Sequence, residues 1–369
     1  MRVVHFPSNQ VANHDDGETI YGVHWADDRV LHAGFQTAID PPPLPLSPPN
    51  TEVLPRADMV AEPQSVSVVI CTRDRPEHLE QCLRSFSEQS RAPDEVIVVD
   101  NASIDARTRD VTQAAGMTYI REDRPGLDYA RNTGAQAAQS DIIVYTDDDT
   151  VLHQNWLENI VNAFQDETID AVTGLVLPLR LDTLAQQIFE AHWSFGRGFE
   201  IIDFTPQQFK ASKEAGFEAW NIGAGANMAF RKSVFEDCGY FDESLDVGAS
   251  GCSGDSEYWY RIVGQGGTCR YDPSCVVFHD HRDTEQGLQK QLRAYMCGHV
   301  TALRVQAQRF PNQGNLKRLY WYLPIWFAGR ISQRLRKGRT TERWFLADEI
   351  RGYLEGLIYP LGKKRRQIG

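Results

Sequence analysis

The stretch Asp141-Ile-Ile-Val-Tyr-Thr-Asp-Asp-Asp-Thr150 (DIIVYTDDDT) decides how this chain is read. Ile142 to Tyr145 form an apolar, β-favouring run, which predicts a strand buried on both faces, as in a parallel sheet. That run leads straight into three consecutive carboxylates. Adjacent carboxylates repel one another unless a cation or strong donors sit between them. Alternate side chains at a strand end point to one side. Asp147 and Asp149 are therefore expected to converge, with Asp148 pointing elsewhere. Hard oxygen ligands suit Mg2+ or Mn2+, which take one or two protein carboxylates plus phosphate oxygens. A solvated acidic turn that caps the next helix is the alternative. Three acids facing other polar strand ends fit the metal better.

Working outward, strand and helix patterns alternate. SVSVVIC (65–71), EVIVVD (95–100) and MTYIRE (117–122) read as strands. In PEHLEQCLRSFSEQ (76–89), Leu79, Cys82, Leu83 and Phe86 share one helical face, and Pro76 suits the first turn. TRDVTQAAG (108–116) predicts a helix stopped by Gly116, and LDYARNTGAQAAQ (127–139) a further helix. This alternation predicts an α/β domain with a mostly parallel sheet flanked by helices. Ligands of such sheets bind beyond the carboxyl ends of the strands. Thr72-Arg73-Asp74, Asp100-Asn101 and Asp147–Asp149 are thus expected to line one crevice.

Further segments carry chemistry with local alternatives. Arg131 is read either as a phosphate or nucleobase contact or as an exposed helix residue. GAGANMAF (223–230) is not a dinucleotide fingerprint, because Met228 replaces the third glycine; its small residues and Asn227 are expected to let backbone approach a ligand. GASGCSGDSEYWYRI (248–262) places Asp255 and Glu257 at a helix start, where they serve as caps or supply a general base. YDPSCVVFHDHR (271–282) reads as a strand ending in His279-Asp280-His281, whose two imidazoles could meet a metal or phosphate.

Taken in order, these motifs resemble a family 2 glycosyltransferase, the nucleotide-sugar-dependent type with the GT-A (Rossmann-like) fold, over about residues 65–300. SVVICTRDRPEHLEQCLRSFSEQ, VIVVDNAS, GLDYARNTGAQAAQSDIIVYTDDD and GANMAFRKSVFEDCGYFDE with SGDSEYWYRI carry the resemblance. It implies that Thr72, Arg73, Asp74, Asp100, Arg131, Asp147, Asp148 and Asn227 bind a nucleoside diphosphate sugar, a UDP-sugar before others. Asp149, with Asp147 and His279, would hold Mn2+ or Mg2+. Asp255 would be the catalytic base for a hydroxyl acceptor, a glycan or a lipid-linked one, and the reaction would invert the anomeric centre. Gly254 stands where many members have Glu, which leaves Glu257 as the second candidate for the base. The competing classes are a nucleotidyltransferase, which the lack of a glycine-rich phosphate loop disfavours, and a non-catalytic nucleotide-sugar-binding module.

With 369 residues, 41% hydrophobic and 24% charged, the chain can build one large core or two. Its net charge of −12 disfavours nucleic acid as a partner. Seven cysteines without a CxxC pair point to free thiols and a cytoplasmic setting. Residues 1–62 are expected to form an N-terminal extension, a small β-rich element of about two strands followed by the extended linker PPPLPLSPPNTEVLPR (41–56). Residues 63–300 are expected to form the transferase domain and 301–369 a basic, aromatic helical region. From Arg309 onward there are 14 Lys+Arg against 4 Asp+Glu. NLKRLYWYLPIWFAGRISQRLRKGR (315–339) is too short in its apolar part to span a bilayer. It reads as a segment that docks peripherally on the inner face of an anionic membrane, or as helices packing on the core. Trp193, Phe195 and Trp220 are read as a sugar platform or as packing residues.

Overall fold

The computed structural model describes residues 1–6, 19–26, 29–37, 64–337 and 345–361. The proline-rich segment 41–56 and the terminal Lys363–Arg366 lie outside them. Ahead of that segment come β1 (Val3–Phe6), β2 (Thr19–Ala26) and β3 (Arg29–Thr37). They make a three-stranded sheet in that order, one strand more than expected. The alternation resumes with β4 (Val66–Thr72), β5 (Glu95–Asn101), β6 (Thr118–Glu122) and β7 (Ile142–Asp147). These four pair in parallel, in the spatial order β7-β4-β5-β6. The helices Pro76–Arg84, Arg107–Ala114 and Leu127–Ala137 connect them. The first is shorter than its apolar pattern, because the chain tightens into a 3-10 turn over Ser85–Glu88. There Ser85 Oγ donates to the Cys82 carbonyl, offering the backbone an alternative to the α ladder.

The second half makes the sheet mixed rather than parallel throughout. It adds β8 (Thr150–Leu152), β9 (Ala171–Pro178), β10 (Ile202–Phe204), β11 (Asn227–Arg231) and β12 (Cys269–His279). β11 runs antiparallel between β7 and β9, while β12 is parallel to β9. The GAGANMAF stretch leads into the buried central strand β11. Side chains alternate as a pleated strand demands. Val66, Val68 and Ile70 face a cluster with Leu79, Trp156 and Leu157. Val69, with Ile97 and Val99 from β5, faces another with Ala130, Tyr258 and Trp259. Helices thus cover both faces, and truncating a fully buried side chain such as Leu79 to Ala would cost about 2–5 kcal/mol.

The N-terminal sheet packs on this domain instead of standing apart. Tyr21, Val23 and Val30 share a cluster with Leu175, Leu177, Tyr271 and Val276. At the other end, the helix Glu285–Arg309 runs through position 300. The helix Leu346–Ile358 packs along it, with Gly352 and Gly356 against its Arg293 and Cys297 carbonyls.

Candidate active site

The site sits where β4, β5 and β7 end. Thr72 is in register with Asp100, and Cys71 with Asp147, so the three polar strand ends lie side by side. After β7 the chain turns through Asp148 and Asp149 into β8, which pairs antiparallel with β12 and sets Thr150 opposite His279. The Asp280 N–H donates to the Asp149 carbonyl at 2.9 Å. That pairing carries His279, 130 positions downstream, to the acidic turn.

One ligand atom each from Asp147, Asp149 and His279 lies within 4.8 Å of the others. His279 Nε2 is 3.3 Å from Asp149 Oδ1. Asp149 Oδ1 is nevertheless buried without a hydrogen-bond partner. A buried carboxylate oxygen left bare is costly, and a divalent cation is a chemically apt partner for it beside a second carboxylate and an imidazole. The residues present fit such an ion. Asp148 points elsewhere, as the alternation predicts: it accepts from Thr72 Oγ1 at 2.6 Å and pairs with Arg75 Nη1 at 2.7 Å. Arg75 Nη2 reaches Asp149 Oδ2 at 2.8 Å. Arg75 is not among the expected site residues; its position three residues beyond the end of β4 is the available signal.

Burial, and then the neighbouring Asp149 charge, push Asp147 and Asp148 up to about 7. Burial works in the same sense on Asp149, but His279, Arg75 and Arg282 outweigh it and hold Asp149 at about 2. Burial lowers His279 to about 4, so its imidazole is neutral near pH 7.

The base candidate, Asp255, opens the helix Gly254–Gly264, half-buried, with Oδ1 accepting the Ser256 N–H at 2.6 Å. Arg131 lies across Gly225 from it. A Cβ on Gly225 would stand 2.7 Å from Arg131 Nη2 and 2.9 Å from Asp255 Oδ2. Arg131 is buried, not exposed, and pairs with Asp128 at 3.0 Å and with Asp246. Asp128 and Asp246 were not anticipated; the acidic start of LDYARNTG was the only local hint. Asp128 Oδ2 is buried without a partner and occupies the space a side chain at Gly254 would fill. Glu257 is not available as a second base. It is fully buried and held by Arg261, at 3.0 Å, and by Arg309.

Other expected ligands have structural partners. Asp100 is fully buried and accepts from the Ser103 N–H, Tyr119 Oη and Arg121 Nη1. Asp74 adopts φ 56° and accepts the Ile104 N–H, while Arg73 beside it is exposed. Asn227 does not face the crevice with a free amide. Its Oδ1 accepts from Trp156 Nε1, and its Nδ2 donates to the Leu175 and Cys275 carbonyls. Trp193, Phe195 and Trp220 pack: on Phe345, on His279 and His281, and on His299 with Arg318, respectively. All seven cysteines are free.

Residues 67–239 match the family model described as Glycosyl transferase family 2. Glycosyltransferase AglE of Haloferax volcanii is 27% identical over 237 residues, covering 62% of this chain and 71% of that protein. A pre-mycofactocin glycosyltransferase of Mycobacterium tuberculosis is 27% identical over 232 residues, covering 62% of this chain but only 45% of its own length. Among solved structures, a mannosyltransferase from Pyrobaculum calidifontis, in complex with GDP-Man and Mn2+, superposes with a TM-score of 0.52. It is 20% identical and covers 80% of this chain and 87% of its own, a likeness of fold.

Proposed function

We propose that the chain, which has a GT-A fold and matches the Glycosyl transferase family 2 model over residues 67–239, is a glycosyltransferase of that family that moves a sugar from a nucleoside diphosphate to a hydroxyl acceptor with inversion. The observation that carries this reading is the bare, buried Asp149 Oδ1 with Asp147 and His279 beside it at the strand ends. A Mn2+ or Mg2+ ion held by these three would supply Lewis-acid stabilisation of the departing diphosphate. Thr72, Arg73, Asp74 and Asp100 border the nucleotide side, and Arg75 and Arg131 add positive charge toward the phosphates.

Asp255 takes the proton of the acceptor hydroxyl as its oxygen attacks the anomeric carbon. The new C–O bond forms while the bond to the diphosphate oxygen breaks on the opposite face, so no side chain acts as nucleophile. Asp128 packs against Gly254 at the start of that helix, and Arg131, paired with Asp128 and Asp246, lies across Gly225 from Asp255.

The test is a screen of UDP- and GDP-sugars, GDP-mannose included because the structural neighbour holds it, for thermal stabilisation with Mn2+ or Mg2+. Transfer with the stabilising donor should then vanish in Asp149→Asn while the circular dichroism spectrum is kept. Full activity in that variant would sink the assignment. Donor binding without transfer or hydrolysis would favour a non-catalytic module.

We also propose that the acceptor is met at an anionic membrane surface. No described helix is long and apolar enough to cross a membrane. The segment Tyr320 to Leu335 nevertheless leaves Tyr320, Trp321, Ile325, Trp326, Ile331 and Leu335 exposed, Trp321 at 62% and Leu335 at 81%. The sequence interleaves them with Arg330, Arg334, Arg336 and Lys337. Aromatic and basic side chains on one segment suit the headgroup region of an anionic bilayer. Flotation with phosphatidylglycerol vesicles, but not with phosphatidylcholine alone, is expected. Trp321→Ser with Trp326→Ser should abolish it, and a wild-type chain that stays at the bottom with both vesicle types overturns the idea.

A further inference from the structure

Behind His279 runs an unbroken line of buried polar contacts that the transfer chemistry does not use. His279 Nδ1 meets His281 Nδ1 at 3.0 Å. His281 Nε2 meets Glu190 Oε2 at 3.1 Å. Tyr21 Oη donates to Glu190 Oε1 at 2.6 Å. His279, His281, Glu190 and Tyr21 are all less than a tenth exposed. They come from β12, the segment just after it, the helix Leu184–Trp193 and β2 of the N-terminal sheet. The line therefore begins 258 positions away from the histidine at which it ends. Phe189 and Phe195 pack on the imidazoles, at ring-centre distances of 4.7 to 5.9 Å, and keep the rings from turning.

The donors and acceptors in this line can be assigned one after another. Glu190 accepts from Tyr21 on one oxygen, and a proton on His281 Nε2 matches its other oxygen. Burial, and then the Glu190 charge, push the pKa of the Tyr21 hydroxyl far up and keep it a phenol. In the tautomer that carries its proton on Nε2, His281 presents a lone pair at Nδ1. His279 must then donate from its own Nδ1, which leaves the lone pair of His279 Nε2 facing Asp149 Oδ1 at 3.3 Å.

We propose that Tyr21, Glu190 and His281 act as positioning residues that fix the tautomer of His279, so that the N-terminal sheet is part of the cation site. Its consequence for the ion rests on the metal reading above. Partners behind a metal-bound histidine set its ring orientation and basicity, and losing one costs about 10–100-fold in metal affinity. The N-terminal sheet would thereby act on the donor side of the reaction without touching the donor.

The test uses the full chain. Nitrogen-15 NMR of the metal-free wild type is expected to show His279 protonated at Nδ1 and bare at Nε2, and His281 protonated at Nε2. Mn2+ alone is then titrated by electron paramagnetic resonance. Glu190→Leu should mix the His279 tautomers and weaken Mn2+ by about 10–100-fold. Tyr21→Phe, the loss of one oxygen, should weaken it in the same direction by less, and covers the case in which Glu190→Leu does not fold. A wild-type His279 protonated at Nε2 overturns the proposal. So do unchanged tautomers and unchanged Mn2+ affinity in both variants. Wild-type tautomers as stated in a chain that binds no Mn2+ would support the relay and remove the metal reading instead.

Discussion

Arg75 holds Asp149 at 2.8 Å while its other guanidinium nitrogen holds Asp148 at 2.7 Å. One cation thus neutralises part of an acidic turn that is otherwise buried. Arg75→Gln would leave two buried carboxylates short of a partner, at a cost of about 3–5 kcal/mol. A divalent cation should restore part of that. The expected result is a lower melting temperature without metal, and a larger rise on adding Mn2+ than the wild type shows. Equal rises in the two proteins would argue against a cation between Asp147 and Asp149.

Asp255 and Glu257 are two residues apart but belong to different machinery. Asp255→Asn should reduce transfer by at least about 100-fold, the usual contribution of a general base, with Mn2+ affinity unchanged. Glu257→Gln should instead lower stability, because Arg261 loses its charged partner and Arg309 keeps only Asp242. Rate and melting curves on both variants separate the two roles.

A Cβ at Gly254 would overlap Asp128 Oδ2, which Arg131 anchors through the other Asp128 oxygen. Gly254→Ala should therefore shift the start of the helix that carries Asp255, with a loss of about 1–3 kcal/mol from overpacking and reduced transfer. Adding Asp128→Ser shortens the obstructing side chain and should return part of the stability. Strict additivity of the two changes would mean that they do not touch.

Asn227→Ala is expected to act on stability. It leaves Trp156 Nε1 and two carbonyls without their partner, at a cost of about 2–4 kcal/mol. Donor affinity of the folded protein should be kept. A large loss of donor affinity with an unchanged melting temperature would return Asn227 to the binding site.

Glu122 accepts from Arg124 and Thr133, and the Arg124 hydrogen bonds, ahead of the opposing effect of burial, lower its pKa to about 2. A carboxylate with a depressed folded pKa stabilises fully above its unfolded value of about 4.5, and that contribution is lost as pH falls through about 2. Glu122→Gln should thus be less stable than the wild type at pH 7, with the gap in urea midpoints narrowing between pH 5 and pH 2. A gap independent of pH would mean that the carboxylate charge contributes nothing.

The local sequence by itself determined the four parallel strands, the helices between them and the crevice at their ends. Those features rest on period-two and period-3.6 apolar patterns and on strand-end acids, all readable within a few residues. It also separated Asp148 from Asp147 and Asp149, since alternation is a property of the backbone. Only the tertiary structure decided that Asn227 is engaged inside the sheet, that Glu257 is held between two arginines, and that Arg131 sits under Asp255 with Asp128 and Asp246. It alone joined Tyr21 to His279. These contacts link side chains far apart in the chain, brought together by β11 inserting between β7 and β9 and by β12 pairing back on β8. A residue's neighbours within the chain set its conformational preference, but its hydrogen-bond partners are set by which strands lie beside it, and no local pattern encodes that.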